Sequence, residues 1–127
     1  MLLHNFKELK VWKVSIDFVT KIYEKSASFP QYEMYGLTSQ LRRAALSIPS
    51  NMAEGSGRGD KEFIRFLSIS IASAFEVETQ LIVAKNLKFT SESDLEILLI
   101  QIQEIQKMIH GLSRSLQAKI KKEKNEE

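Results

Sequence analysis

Five cations crowd the middle of the chain: Arg42, Arg43, Arg58, Lys61 and Arg65. Guanidinium and ammonium groups are what a protein uses to hold phosphates, so this run is the natural candidate for nucleic-acid contact. Between residues 42 and 65 these five face only Glu54, Asp60 and Glu62, a local excess of two positive charges. Gly55-Ser56-Gly57-Arg58-Gly59 has the glycine content of a phosphate cradle. It matches neither a P-loop nor a dinucleotide fingerprint and follows a helical pattern rather than a strand, so it reads as a flexible helix connection.

A second group combines Arg43 with Asn51, Glu54, Glu76 and Gln80. Asn51 and Glu54 are three residues apart and Glu76 and Gln80 four, spacings that share a helical face. They read as a structural polar layer, within a helical bundle or at its assembly interface. Around a hairpin centred near Gly57 and Arg58, antiparallel positions add to about 115, which sets Arg43 opposite Ala72 and one turn from Glu76. The expectation is a partly buried Arg43 to Glu76 ion pair with Arg42 turned toward solvent. No pocket or cofactor motif accompanies these carboxylates, so acid and base chemistry is not assigned to them. His4 and His110 are too few and too far apart to be read as a metal cluster, and no Glu-x-x-His repeat is present. With no cysteine in the chain, thiol catalysis, disulfides and Cys-ligated metals are excluded. The reading is a non-enzyme with no catalytic residue, metal or cofactor.

The elements that must position these residues are helices. From Asn5 to about Ala27, Leu9, Trp12, Ile16, Val19 and Tyr23 repeat at steps of three and four, with Val11, Val14, Phe18 and Ile22 widening the stripe. Asn5 and Glu8 have the spacing of a capping box. Pro30 redirects the chain. A second helix, bearing Leu37, Leu41, Ala44, Ile48 and Met52, runs to about Glu54, kinked by Pro49 because proline has no amide to offer Ala45. Asp60 is the expected N-cap of a third helix over about 61–85, with a seam at 63, 67, 70, 74, 77, 81 and 84. A neighbouring stripe of Ile64, Ile71, Phe75 and Ile82 makes two adjacent faces apolar. Ser91 and Asp94 open a fourth helix, whose Leu95, Leu98, Ile102, Ile105, Ile109, Leu112 and Leu116 form the cleanest stripe and carry Gly111 without losing phase. The tail, about 119–127, is a charged helical end expected to fray.

Four amphipathic helices with short connections specify an all-α, antiparallel up-and-down four-helix bundle, one domain over 1–127. The 127 residues include 18 Lys and Arg against 16 Asp and Glu, a formal +2 that permits a polyanionic partner without demanding one. No run reaches the roughly eighteen consecutive apolar residues of a membrane span and no signal-peptide pattern opens the chain, so a cytoplasmic protein without membrane contact is expected. The apolar stripes of the first and third helices are wider than one bundle requires, which predicts a homo-oligomer.

The segments Gly36-Leu37-Thr38-Ser39-Gln40-Leu41-Arg42-Arg43-Ala44-Ala45 and Ser47-Ile48-Pro49-Ser50-Asn51-Met52-Ala53-Glu54-Gly55 resemble the signature of the S23 ribosomal protein family, also described as proteins encoded by intervening sequences in 23S rRNA genes. The resemblance extends from Phe6, Leu9, Val11 and Trp12 through Phe29-Pro30 and Glu33 to Glu76, Thr79, Gln80 and Leu81. It implies a four-helix bundle assembling as a ring-like homopentamer. The family is related to an accessory protein of diversity-generating retroelements that works with nucleic acid through a basic surface. The function expected here is a non-enzymatic oligomeric bundle that binds RNA or an RNA-associated protein, the alternative being a purely protein-binding module.

Overall fold

The computed structural model of the chain describes residues 5–126. Four helices follow one another, α1 (Lys10–Ser26), α2 (Leu37–Ser56), α3 (Asp60–Asn86) and α4 (Glu92–Asn125), with no strand among the described residues. Helices α1 and α3 each touch α2 and α4 but not one another. Polar links mark an up-and-down order: Arg42 of α2 reaches Ser26 at the end of α1, and Lys85 and Glu92 meet across the α3–α4 turn. Lys119 of α4 meets Asp60 at the opposite end of α3.

The seam predicted for α3 is the observed one, since Phe63, Leu67, Ser70, Ala74, Val77, Leu81 and Ala84 are all buried. In α4, Leu95, Leu98, Ile102, Ile105, Ile109 and Leu116 are buried and Leu112 partly so. Helix α1 differs. Its buried face is Val11, Ser15, Phe18, Val19, Ile22 and Ser26, while Tyr23 is exposed and Trp12 lies edge-on against Phe6 at its margin. The two serines explain the rotation, because each returns its hydroxyl to its own helix, Ser15 to the Val11 carbonyl and Ser26 to the Ile22 carbonyl. A hydroxyl satisfied in this way is buried at little cost, so a polar residue takes a core position that an apolar stripe does not reveal.

The helix ends correct the sequence reading in two places. Asn5 accepts a hydrogen bond from the Lys7 amide and caps a short 3₁₀ turn at Phe6–Glu8, so α1 itself begins only at Lys10. Asp60 is not the N-cap of α3; Gly59 is, with φ of 87°, a conformation that costs glycine nothing and any other residue strain. Helix α4 extends through the charged tail to Asn125. Helix α2 also runs unbroken through Pro49 to Ser56.

Ser91 caps α4 as its spacing predicts, its Oγ accepting from the Asp94 amide at 3.1 Å. Ser91→Ala should cost about 1 kcal/mol, read from the urea unfolding midpoint at unchanged slope. Helix α3 has an 18-residue stretch apolar enough to cross a bilayer by length and composition. The reason is that serine, alanine and isoleucine replace charges along its middle, and its seam is occupied by packing against α2 and α4.

Candidate functional site

The five cations do not form one patch. Arg42, expected to face solvent, is instead a clamp between α1 and α2: Nε donates to Ser26 Oγ at 2.8 Å and Nη2 to the Tyr23 carbonyl at 3.2 Å. Its guanidinium also lies 4.7 Å from the Tyr23 ring centre. The helix phase decides this, placing Arg42 on the α1-facing flank and Arg43 on the outer one. The Tyr23 carbonyl also accepts from the Ala27 amide at 3.2 Å, so Arg42 adds a charged donor at the end of α1, where the helix dipole favours a cation.

Arg58 pairs with Glu54, and Arg65 with Glu62 at 2.9 Å. Both guanidiniums also lie over the Phe66 ring, at 5.1 and 4.8 Å from its centre, so Phe66 joins two ion pairs into one surface cluster. The hydrogen bond from Arg65 holds the Glu62 carboxyl below its usual pKa. Lys119 is held above its usual value by its hydrogen bond to Asp60. Among the described residues, Arg43 and Lys61 keep no ion-pair partner.

Of the five residues expected to make a polar layer, only Asn51 joins the hydrogen bonds of the α2–α3 seam, and serines make the rest. Ser47 and Ser73 share a hydrogen bond of 2.8 Å across the α2–α3 seam, and Asn51 Nδ2 donates to both the carbonyl and the hydroxyl of Ser47. Ser70, fully buried, donates to the Ile48 carbonyl at 2.8 Å. These links shift the hairpin register by about one helical turn from the expected one, so Arg43 stands level with Glu76 rather than Ala72. Even so, Arg43 and Glu76 are both exposed, and no ion pair joins them. Ala44 and Ser47 from α2 and Ser73 from α3 line the groove between the two charges. Glu54 belongs to the Arg58 pair instead.

Gln40, Arg43, Ser47, Ser73, Glu76 and Gln80 therefore line an open groove of about 280 Å³. Gln80 Oε1 is buried there without a hydrogen-bond partner. The serines that build this seam were legible only as small residues permitting close helix approach; their hydroxyl partners depend on register. Because both charges are solvated and unpaired, Arg43→Ala and Glu76→Ala should each change monomer stability by less than about 0.5 kcal/mol, with no coupling in the double substitution. Urea titration below the association concentration checks this.

No group of three or more His, Asp or Glu among the described residues is placed to hold a metal ion. His110 is exposed on α4. His4 lies outside the described residues.

A family model described as 23S rRNA-intervening sequence protein matches residues 7–111. Among solved structures, the chain is similar to a protein of unknown function from the S23 ribosomal protein family of Bacteroides thetaiotaomicron VPI-5482. The TM-score is 0.75 at 21% identity, over 82% of this chain and 95% of that one, a likeness of fold. No curated protein matches the chain.

Proposed function

The chain belongs to the 23S rRNA-intervening sequence protein family, and from that premise we propose that it is a non-enzymatic helical bundle acting as a cytoplasmic homo-oligomer, five copies in a ring, without a membrane partner. The observation that carries this reading is the apolar surface left over by the bundle. Phe75 is 52% exposed, Ile97 56% and Ile100 69%, on helices whose core stripes are already filled. Scattered apolar residues are ordinary on a surface, but several on the outer flanks of adjacent helices mark a surface that another chain covers. Light scattering over a range of concentrations should give a mass near five chains. A single-chain mass at every concentration would defeat the proposal.

The assembled surface is offered to a further macromolecule, and a protein is the partner that the charges favour. Arg58 and Arg65, which would have led a phosphate-binding patch, are neutralised by Glu54 and Glu62. The second reading, RNA or an RNA-associated protein, is favoured by Arg43 and Lys61, which are exposed and have no ion-pair partner among the described residues. If RNA is bound through these two cations, affinity for a single strand should fall with a log–log salt slope of about −1.4. Replacing both with alanine should abolish retention. A folded, nuclease-treated oligomer that retains no RNA at low salt would leave the protein partner as the sole reading.

A further inference from the structure

The α2–α3 groove holds four polar side chains that the fold leaves unused. The Ser47–Ser73 hydrogen bond fixes the register, and at equal rise on the two helices it brings Arg43 level with Glu76 and Gln40 level with Gln80. Of these three facing pairs, only the serines close on one another. Among the described residues, the side chains of Gln40, Arg43, Glu76 and Gln80 have no hydrogen-bond or ion-pair partner. Elsewhere the bundle ties comparable groups down, Arg42 onto the end of α1 and Arg58 and Arg65 onto Glu54 and Glu62. Between Arg43 and Glu76 the groove is lined by the small side chains of Ala44 and the two serines, which leaves a space of about 280 Å³ open.

We propose that this groove is a binding site for a small zwitterion, a free α-amino acid. Its 280 Å³ lie just below the roughly 300 Å³ at which sites for drug-sized ligands begin, so the ligand is small. The two charges choose its chemistry. A lone anion that reaches Arg43 also meets Glu76, and a lone cation at Glu76 meets Arg43, whereas a ligand carrying both signs is favoured by each. Packed helices lie about 8 to 10 Å apart, so two level side chains of this length can converge on groups separated by one carbon. The Arg43 guanidinium donates its forked N–H groups to the ligand carboxylate, and the Glu76 carboxylate accepts from the ligand ammonium. Gln80 has its Oε1 buried, which leaves Nε2 as a further donor toward the groove, and Gln40 offers an exposed amide opposite it. Occupancy of the groove requires neither the oligomer nor the macromolecular partner proposed above.

The test is a titration of the isotope-labelled full chain with L-alanine, L-serine and L-glutamine in turn, followed through its backbone amide signals. At least one of the three should shift signals within 40–47 and 73–80 saturably at millimolar concentration. Propionate and ethylammonium each carry one of the two charges, and each should bind about ten- to a hundredfold more weakly than that amino acid. R43Q and E76Q change exposed side chains, so both chains should keep the wild-type helical content. R43Q should erase the advantage of the amino acid over ethylammonium, and E76Q its advantage over propionate. The proposal is overturned if none of the three amino acids shifts these signals, as when a second copy fills the groove. It is equally overturned if propionate or ethylammonium binds the wild type as well as the amino acid does, or if both variants keep the wild-type affinity. Light scattering reads the oligomer separately, so neither reading stands or falls with the other.

Discussion

Phe63→Ala should destabilise the protein by about 3 to 5 kcal/mol and lower the thermal midpoint by more than about 10 °C. Phe63 is fully buried near the start of α3, and its ring packs beside α2 close to Gly55, with Cδ1 3.1 Å from where a Gly55 Cβ would stand. Truncation removes most of a large apolar side chain and leaves a cavity at the hairpin end of the bundle, where neighbouring backbones are already in contact and have little room to collapse inward. Domains of this size have only about 5 to 15 kcal/mol of net stability, so this one residue carries a large share of it. Leu87→Ala, at a position 52% exposed, should cost less than about 1 kcal/mol and serves as the control. A loss at Phe63 no larger than at Leu87 would mean that the hairpin core is not packed as described.

Gly55→Ala should cost about 1 to 3 kcal/mol, although alanine is the better helix former and Gly55 lies within α2. A Cβ at this position would stand 2.5 Å from the Cβ of Phe66, a distance at which one helix must move. The glycine therefore sets how closely α2 and α3 approach, and with it the seam in which Ser47, Ser70 and Ser73 find their partners. The obstructing atom is a β-carbon, so Phe66→Ala should not rescue Gly55→Ala. Gly57→Ala is the matched control: nothing lies within 4 Å of a Cβ there, and the change should be close to neutral. Urea unfolding of the four chains decides the matter. A Gly55→Ala protein as stable as the Gly57→Ala one would remove close approach as the reason for this glycine.

Where local patterning was strict, sequence and structure agree. The α3 seam, the α4 stripe and the Ser91 cap follow from spacing alone, because one helix turn fixes which side chains share a face and which hydroxyl meets an unpaired amide. Helix α1 was read one strip off, since Ser15 and Ser26 are core residues whose polarity is cancelled by their own backbone. Asp60 was misread because a capping side chain is visible in a sequence, whereas the positive φ that Gly59 supplies is not.

The candidate site divides along the same line. Composition and spacing by themselves determined four helices, a modest charge excess, the absence of thiol chemistry and a polar group in the middle of the α2–α3 hairpin. Only the packed bundle decided which arginine was which. Arg42 and Arg43 are adjacent in the chain, yet about 100° of helix rotation sends one into α1 and leaves the other on the surface. The register between α2 and α3, set by the close approach at Gly55 and the serine contacts, brought Arg43 level with Glu76 and kept the two apart. Pairing across a seam depends on the relative translation and rotation of two helices, a quantity summed over every contact between them. No short motif encodes it, and for that reason the Lys119–Asp60 pair and the orphaned Gln80 became visible only in the tertiary structure, whereas the Glu54–Arg58 and Glu62–Arg65 pairs lie at helical spacings of four and three.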